Sequence, residues 1–278
     1  MNRVDNIIIG FGKAGKTLAG YLGSKGEKTV LVEKSPLMYG GTCINVGCIP
    51  SKFLATSADR KAYSQLGDEE YYKQAVENKK ALISKLNKAN YDKVAGVPNV
   101  EVIDGLASFK DEHTVSIKTE SGVQELYAER IFINTGTTPF VPETEGLEIK
   151  GRIHTSETIM NLEEFPRSLA ISGSGFIGLE FAASYAKFGT KVTIIDRGSK
   201  ILPREDEDVA NAVFEAYKGL GIEFIFDANI EKVEQNENEV KISYSSKGEA
   251  RELSAEAFLV ATGRKANVEG LNLEAAGI

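Results

Sequence analysis

The chain has 278 residues, 42% of them hydrophobic and 26% charged, with a formal net charge of −7. That length allows two domains with real cores, and an acidic chain without a basic tract argues against nucleic acid as a partner. No stretch approaches the roughly 20 apolar residues of a membrane span, and Ile7-Ile8-Ile9 is too short a run for a signal peptide, so a cytoplasmic protein is expected.

Val4–Ile9 has the composition of a buried strand. Gly10-Phe11-Gly12-Lys13-Ala14-Gly15 follows, then a helical run to about Lys25, then a second strand, Thr29–Val32, ending at Glu33. Strand, glycine loop, helix and acid together form the dinucleotide fingerprint. Gly10 makes the tight turn, Gly12 lets the backbone approach a pyrophosphate, Gly15 lets helix and strand pack closely, and Glu33 binds a ribose hydroxyl.

Gly40-Gly41-Thr42-Cys43-Ile44-Asn45-Val46-Gly47-Cys48-Ile49-Pro50-Ser51-Lys52 comes next and holds both cysteines of the chain. A disulfide needs Cα atoms about 4.4–6.8 Å apart, whereas residues five apart on an undistorted helix rise roughly 7.5 Å. A Cys43–Cys48 bridge therefore needs a loosened first turn, which Gly41 and Gly47 allow. Closing so short a loop gains little chain entropy, which disfavours a structural staple. Two thiols are too few for a closed zinc site, and His113 and His154 lie far away in sequence, so no metal is expected. A helix N-terminus lowers a thiol pKa. The stretch reads as a dithiol that opens and closes; the plainer alternative is a pair of small buried cysteines.

The helix begun there is predicted to run to about Leu66, and a second, charged helix covers Glu69 to Val94, its lysines and glutamates forming a solvated face. Residues 100–134 read as short strands broken by turns, the last of them running into Thr135-Gly136. From there to Phe165 the chain is linker-like. At Leu169 the first pattern returns: Gly173, Gly175, Gly178 and Asp196 repeat Gly10, Gly12, Gly15 and Glu33 at one constant offset, which marks a duplicated mononucleotide-binding unit. A helix at Asp208–Leu220, short strands around Phe224, Val240 and Leu253, and the strand Phe258–Val260 running into Thr262-Gly263 complete it. The fold class is α/β, with two Rossmann-like three-layer domains at residues 1–148 and 149–278.

With both glycine loops, the Gly-Gly-Thr-Cys-x4-Cys-x-Pro-Ser-Lys motif and both Thr-Gly segments on view, the chain resembles the class I pyridine nucleotide–disulfide oxidoreductases. That is the family of dihydrolipoyl dehydrogenase, glutathione reductase and mercuric reductase, and the resemblance covers nearly the whole chain. It implies FAD in the first domain, held by Gly10, Gly12, Gly15 and Glu33, with Gly41, Thr42, Thr135 and Gly136 beside it. It implies NADH, or NADPH, in the second, held by Gly173, Gly175, Gly178, Asp196 and Gly263. Asp196 favours NADH, while the adjacent Arg197 can accommodate a phosphate. By the same resemblance Cys43 is the interchange thiol, Cys48 the charge-transfer thiol, and Lys52 lies near flavin N5, paired with Glu180.

Several stretches, among them Phe11-Gly12-Lys13-Ala14-Gly15-Lys16-Thr17 and Leu202-Pro203-Arg204-Glu205-Asp206, resemble the bacterial reactive-chlorine-resistance flavoproteins related to mercuric reductase. They imply reduction of hypothiocyanous acid or a related oxidant or metal ion, in defence against oxidative stress. The alternatives are a dihydrolipoyl dehydrogenase-type enzyme and an inactive FAD-binding fragment or redox sensor. Asn134, where alanine is common, and Ala266, where proline is usual, depart from the family pattern. That pattern also continues into a Gly-Asp segment on the flavin ribitol and a dimer-interface domain, neither of which is recognisable in this sequence. The expectation is therefore a first domain lacking its C-terminal segment, and a homodimer for the full-length protein but not for this fragment.

Overall fold

The computed structural model describes residues 2–278. The chain forms two compact units, and neither is continuous in sequence. The first comprises the residues up to Pro50, Lys80–Thr138 and Ala266–Ile278; the second comprises Ser51–Lys79 and Pro139–Lys265.

The first unit contains β1 (Asn2–Ile9), α1 (Lys13–Ser24), β2 (Thr29–Glu33) and α2 (Gly41–Asn45). α3 (Cys48–Lys61) and α4 (Asp68–Ala95) each run from one unit into the other. Strands β3 (Val100–Asp104), β4 (Leu106–Phe109), β5 (Thr114–Thr119) and β6 (Gly122–Ile133) complete a six-stranded sheet of order β3-β2-β1-β6-β5-β4. The first four strands are parallel, and β5 and β4 add on antiparallel. The central strands are buried on both faces, which is why they read as unbroken apolar runs. Ile7, Ile9, Val30 and Val32 pack on one side with Val115, Ile117 and Leu126, and Ile8 and Leu31 pack on the other with Ala19 and Leu22 of α1. The alternation is the strand period of two.

In the second unit β8 (Ile153–Thr155), β9 (Ser168–Ser172), α5 (Phe176–Phe188), β10 (Lys191–Ile195), α6 (Glu207–Gly219) and β11 (Glu223–Ile225) precede an antiparallel three-stranded sheet. That sheet is β12 (Ala228–Gln235), β13 (Val240–Ser246) and β14 (Glu249–Ala255), and β15 (Ala257–Val260) follows it. The main sheet is wholly parallel, in the order β11-β10-β9-β15-β8. Short strands β7 (Thr137–Pro139) and β16 (Arg264–Ala266) lie where the chain passes between units. The α/β class with two Rossmann-like domains is the one expected, the first sheet carrying an antiparallel extension beyond its parallel strands.

Three local readings change. The single helix from the cysteines to Leu66 is two helices, because α2 stops at Asn45 and α3 starts at Cys48. A Cβ on Gly47 would stand 2.9 Å from the Thr42 carbonyl oxygen, so the chain turns back on α2 there and only glycine fits. The linker-like region contains β8, whose Phe258↔Ile153 register extends the second sheet at its edge. Its three residues show no period of their own; the neighbouring β15 makes them a strand. The charged face of α4 is not wholly solvated: Lys79 is buried, donating to Met160 O at 2.5 Å and Asn161 Oδ1 at 2.7 Å.

Candidate redox and nucleotide sites

β1 delivers its chain into Gly10, whose φ of +109° and a Cβ that would lie 2.3 Å from Asn134 O admit no side chain. A Cβ on Gly15 would meet Gly10 O at 2.4 Å, so α1 starts hard against the strand end. Glu33, at the end of β2, is buried; its Oε2 accepts the Phe11 N–H at 2.9 Å and its Oε1 the Ser35 N–H at 3.2 Å. Burial pushes its carboxyl above the usual range, and the backbone N–H groups of Phe11, Ser35 and Lys34 pull the other way. Asn134 does what an alanine there could not: it donates Nδ2–H to Gly10 O at 3.0 Å, tying the loop to the end of β6. The Asn267 backbone N–H and side chain bond the carbonyls of Gly136 and Thr135, both at 3.0 Å.

The cysteine segment lies on this loop. Gly40 and Gly41 have φ of +95° and +73°, and a Cβ on Gly41 would lie 2.5 Å from Gly12 Cα. Tyr39 anchors the segment: its ring lies 5.1 Å from that of Phe11 and 4.6 Å from that of Tyr91, and its hydroxyl donates to Asp104 at 2.7 Å. Asn45 Nδ2 donates to Tyr39 O and Gly41 O, and Asn87 of α4 donates to Asn45 Oδ1 at 3.0 Å. Cys43 is half-buried and Cys48 exposed, both as thiols.

The two sulfurs are hydrogen-bonded to each other. Burial first, and then the Cys48 sulfur, pushes the Cys43 thiol up, while the charge of Lys16 and the Cys48 backbone N–H favour the thiolate. The expected lowering by a helix N-terminus is thus overturned at Cys43. It is the third residue of a helix of only five, too short to build a dipole that outweighs burial.

The second unit rebuilds the first loop. Gly173 has φ of +106°, with a Cβ that would lie 2.6 Å from Ala261 O, and a Cβ on Gly178 would lie 2.0 Å from Gly173 O. Asp196 Oδ2 accepts from Ser174 N at 2.6 Å and Ser174 Oγ at 2.7 Å, and its Oδ1 accepts from Gly198 N at 2.7 Å. A Cβ on Gly175 would meet nothing within 4 Å. In front of this loop is a cleft of about 790 Å³, walled by Asp196, Arg197, Arg204, Thr262 and Gly263. Lys52, one turn after Cys48 along α3, lies with its Nζ 2.8 Å from Glu180 Oε2 on α5. Glu180 Oε1 is buried without a hydrogen-bond partner.

Sequence reasoning missed Tyr39, Asp104 and Asn87 as supports of the cysteine segment, and Asn90, three residues past Asn87, as the acceptor of the Lys16 ammonium. The only local signal was a pair of uncharged asparagines three residues apart, and so on one face, in a helix otherwise rich in charge.

Two Rossmann-like sheets with parallel central strands, each leading into a Gly-x-Gly-x-x-Gly loop capped by an acid, are the features the two units share, and a pair of cysteines on the first loop is where they differ. The chain matches the pyridine nucleotide-disulphide oxidoreductase family over residues 4–278, and it belongs to that family, whose members use FAD and NAD(P)H. It is 39% identical to the "Probable pyridine nucleotide-disulfide oxidoreductase RclA" of Escherichia coli (strain K12), over all of this chain and 60% of that protein. It is 32% identical to dihydrolipoyl dehydrogenase of Geobacillus stearothermophilus, over 99% of this chain and 59% of that one. The solved Cu(II) complex of the HOCl-induced flavoprotein disulfide reductase RclA from Escherichia coli superposes with a TM-score of 0.91 at 39% identity, covering 100% of this chain and 60% of that one. The chain thus spans about 60% of the length of these relatives. Among the described residues no helix is long and apolar enough to cross a membrane.

Proposed function

We propose that the protein is a flavin-dependent oxidoreductase that passes electrons from NADH through FAD to the Cys43–Cys48 pair and on to a small oxidant, hypothiocyanous acid first among them. The observation that carries this reading is the pair of mutually hydrogen-bonded thiols lying directly on a nucleotide loop. One solved relative is an HOCl-induced flavoprotein disulfide reductase in complex with Cu(II), which supports an oxidant over a metabolic disulfide.

The residues fit FAD: Gly10 and Gly15 shape a loop that admits no side chain, and Glu33 faces it with two oxygens that have lone pairs to spare for ribose hydroxyls. FAD, when bound, supplies the route by which two electrons of NADH reopen the disulfide. Lys52, held by Glu180, offers a fixed positive charge for the flavin edge. In the second unit Asp196 offers acceptors to an unphosphorylated ribose. The Cys43 thiolate attacks the sulfur of hypothiocyanous acid and hydroxide leaves with the bonding pair. The Cys48 thiolate then attacks the Cys43 sulfur and thiocyanate leaves, so two thiols and one oxidant become a disulfide, thiocyanate, water and a proton. A reducing compartment such as the cytoplasm suits this dithiol, and a homodimer is the expected assembly of the full-length protein.

The test is NADH consumption by the FAD-loaded protein against a panel of oxidants. Hypothiocyanous acid should be reduced quickly and lipoamide slowly. Cys43→Ser should keep the flavin spectrum but lose turnover by on the order of 10³-fold or more, because the covalent route is removed. Faster lipoamide turnover would make the protein a dihydrolipoyl dehydrogenase, and undiminished oxidant reduction by Cys43→Ser would remove the dithiol from the mechanism.

A further inference from the structure

α1 begins immediately after Gly12, and Lys16 stands on its first turn. Its ammonium donates to Asn90 Oδ1 on α4. Asn90 donates its own Nδ2–H to Leu86 O at 2.7 Å, which leaves the carboxamide oxygen turned to Lys16. The Asn90 Cγ lies 3.2 Å from where a Cβ of Gly40 would be, and Gly41 rests on Gly12 at the start of the same helix. Lys16 is therefore held among α1, α4 and the glycines that open α2, and Cys43, two residues past Gly41, feels its charge.

Burial first, and then the charges of Lys13 and Lys93, lower the Lys16 pKa; the Cys43 sulfur opposes them. Among the described residues none of these three lysines forms an ion pair with a carboxylate. The hydrogen-bond partner of this half-buried ammonium is a neutral carboxamide, so no carboxylate offsets its charge toward an approaching anion.

We propose that Lys16 makes the approach to Cys43 selective for anions, so that the oxidant served there carries negative charge or releases it as it reacts. The proposal rests on the redox reading of Cys43 and narrows its substrate class. For an oxidant X–Y, the Cys43 thiolate takes X and Y departs as an anion with the bonding pair. The Cys48 thiolate then displaces X as a second anion, leaving the disulfide, and the two thiol protons go to solvent. Both departing groups are negative where the Lys16 charge acts.

The experiment uses the full chain with Cys48→Ser, so that Cys43 alone reacts, and compares its alkylation rate constants with anionic iodoacetate and neutral iodoacetamide at low ionic strength. Both reagents consume the same thiolate, so their ratio is blind to a shift in the thiol pKa and reads charge selection alone. Lys16→Gln should lower the iodoacetate-to-iodoacetamide ratio by about fivefold, and Lys16→Arg should keep it near the parent value. Raising salt to about 1 M, where the Debye length is roughly 3 Å, should bring parent and Lys16→Gln together. Asn90→Ala, which leaves the lysine in place but untethered, should lie between them.

A Lys16→Gln ratio equal to the parent's overturns the proposal, and so does a parent ratio indifferent to salt. Because no turnover is measured, a failure of oxidant reduction leaves this result standing, and a failure here leaves the oxidant assay standing.

Discussion

In the first unit Glu33 accepts the N–H of Phe11 and that of Ser35; in the second, Asp196 accepts the N–H of Ser174 and that of Gly198, the same positions of the repeat. The first glycine of each loop faces a carbonyl at the end of the next parallel strand, and the third faces the carbonyl of the first. Above this shared frame the loops part. Phe11 is buried in an aromatic stack with Tyr39, and Gly12 lies under Gly41, so the first loop carries the dithiol segment as a second layer. Ser174 instead turns its hydroxyl onto Asp196, and Gly175 faces open space at the cleft. One repeat has its loop covered by the cysteine segment; the other leaves its loop open to the cleft.

The largest test of this contrast is at the glycines that differ in cover. Gly41→Ala forces a side chain into a left-handed backbone and onto the Gly12 backbone, and it should destabilise the protein by about 3 kcal/mol in urea unfolding. Gly175→Ala, with nothing to strike, should change stability by less than about 0.5 kcal/mol while weakening NADH binding measured by calorimetry. Equal stability losses at the two positions would erase the distinction.

Asp196 comes next. Asp196→Ala strands two backbone N–H groups and the Ser174 hydroxyl, for an expected loss of about 2 kcal/mol. It should also reduce the preference for NADH over NADPH in kcat/KM. A wild-type protein that favours NADPH would mean that Arg197, and not Asp196, governs the ribose.

The smallest effect is a pH slope at Glu33. Its carboxyl titrates above the ordinary 4.5 in the folded protein because burial outweighs its hydrogen bonds. The stability it contributes is therefore fully present below the unfolded pKa and is lost as pH rises through the raised folded value. Wild type should lose ground to Glu33→Gln as pH rises from about 4 toward 7 in parallel thermal melts. A difference that grows in favour of wild type would reverse the sign of the burial argument.

Much of the nucleotide architecture was legible because its requirements are local. A turn at φ of +109° needs glycine at position 10 whatever surrounds it, and an acid two residues before a backbone N–H can cap its own strand end. The pairing of Lys52 with Glu180 has no such local signal: only the resemblance joined them, and their 2.8 Å contact depends on how α3 meets α5 within the second unit. Lys79 shows the opposite failure. Composition put it with the solvated residues of α4, yet two acceptors at Met160 and Asn161 bury it.

By itself the sequence determined the duplicated glycine loops, the acids that close them, the α/β class and the paired cysteines that follow the first loop, since each depends on residue type at short spacing. Tertiary structure alone decided that the cysteine helix breaks at Val46–Gly47 and that Gly41 rests on Gly12. It also decided that burial raises the Cys43 thiol and that Asn90 holds Lys16 beside it. Those outcomes turn on the solvent and charge that surround a side chain, and residues distant in sequence supply both.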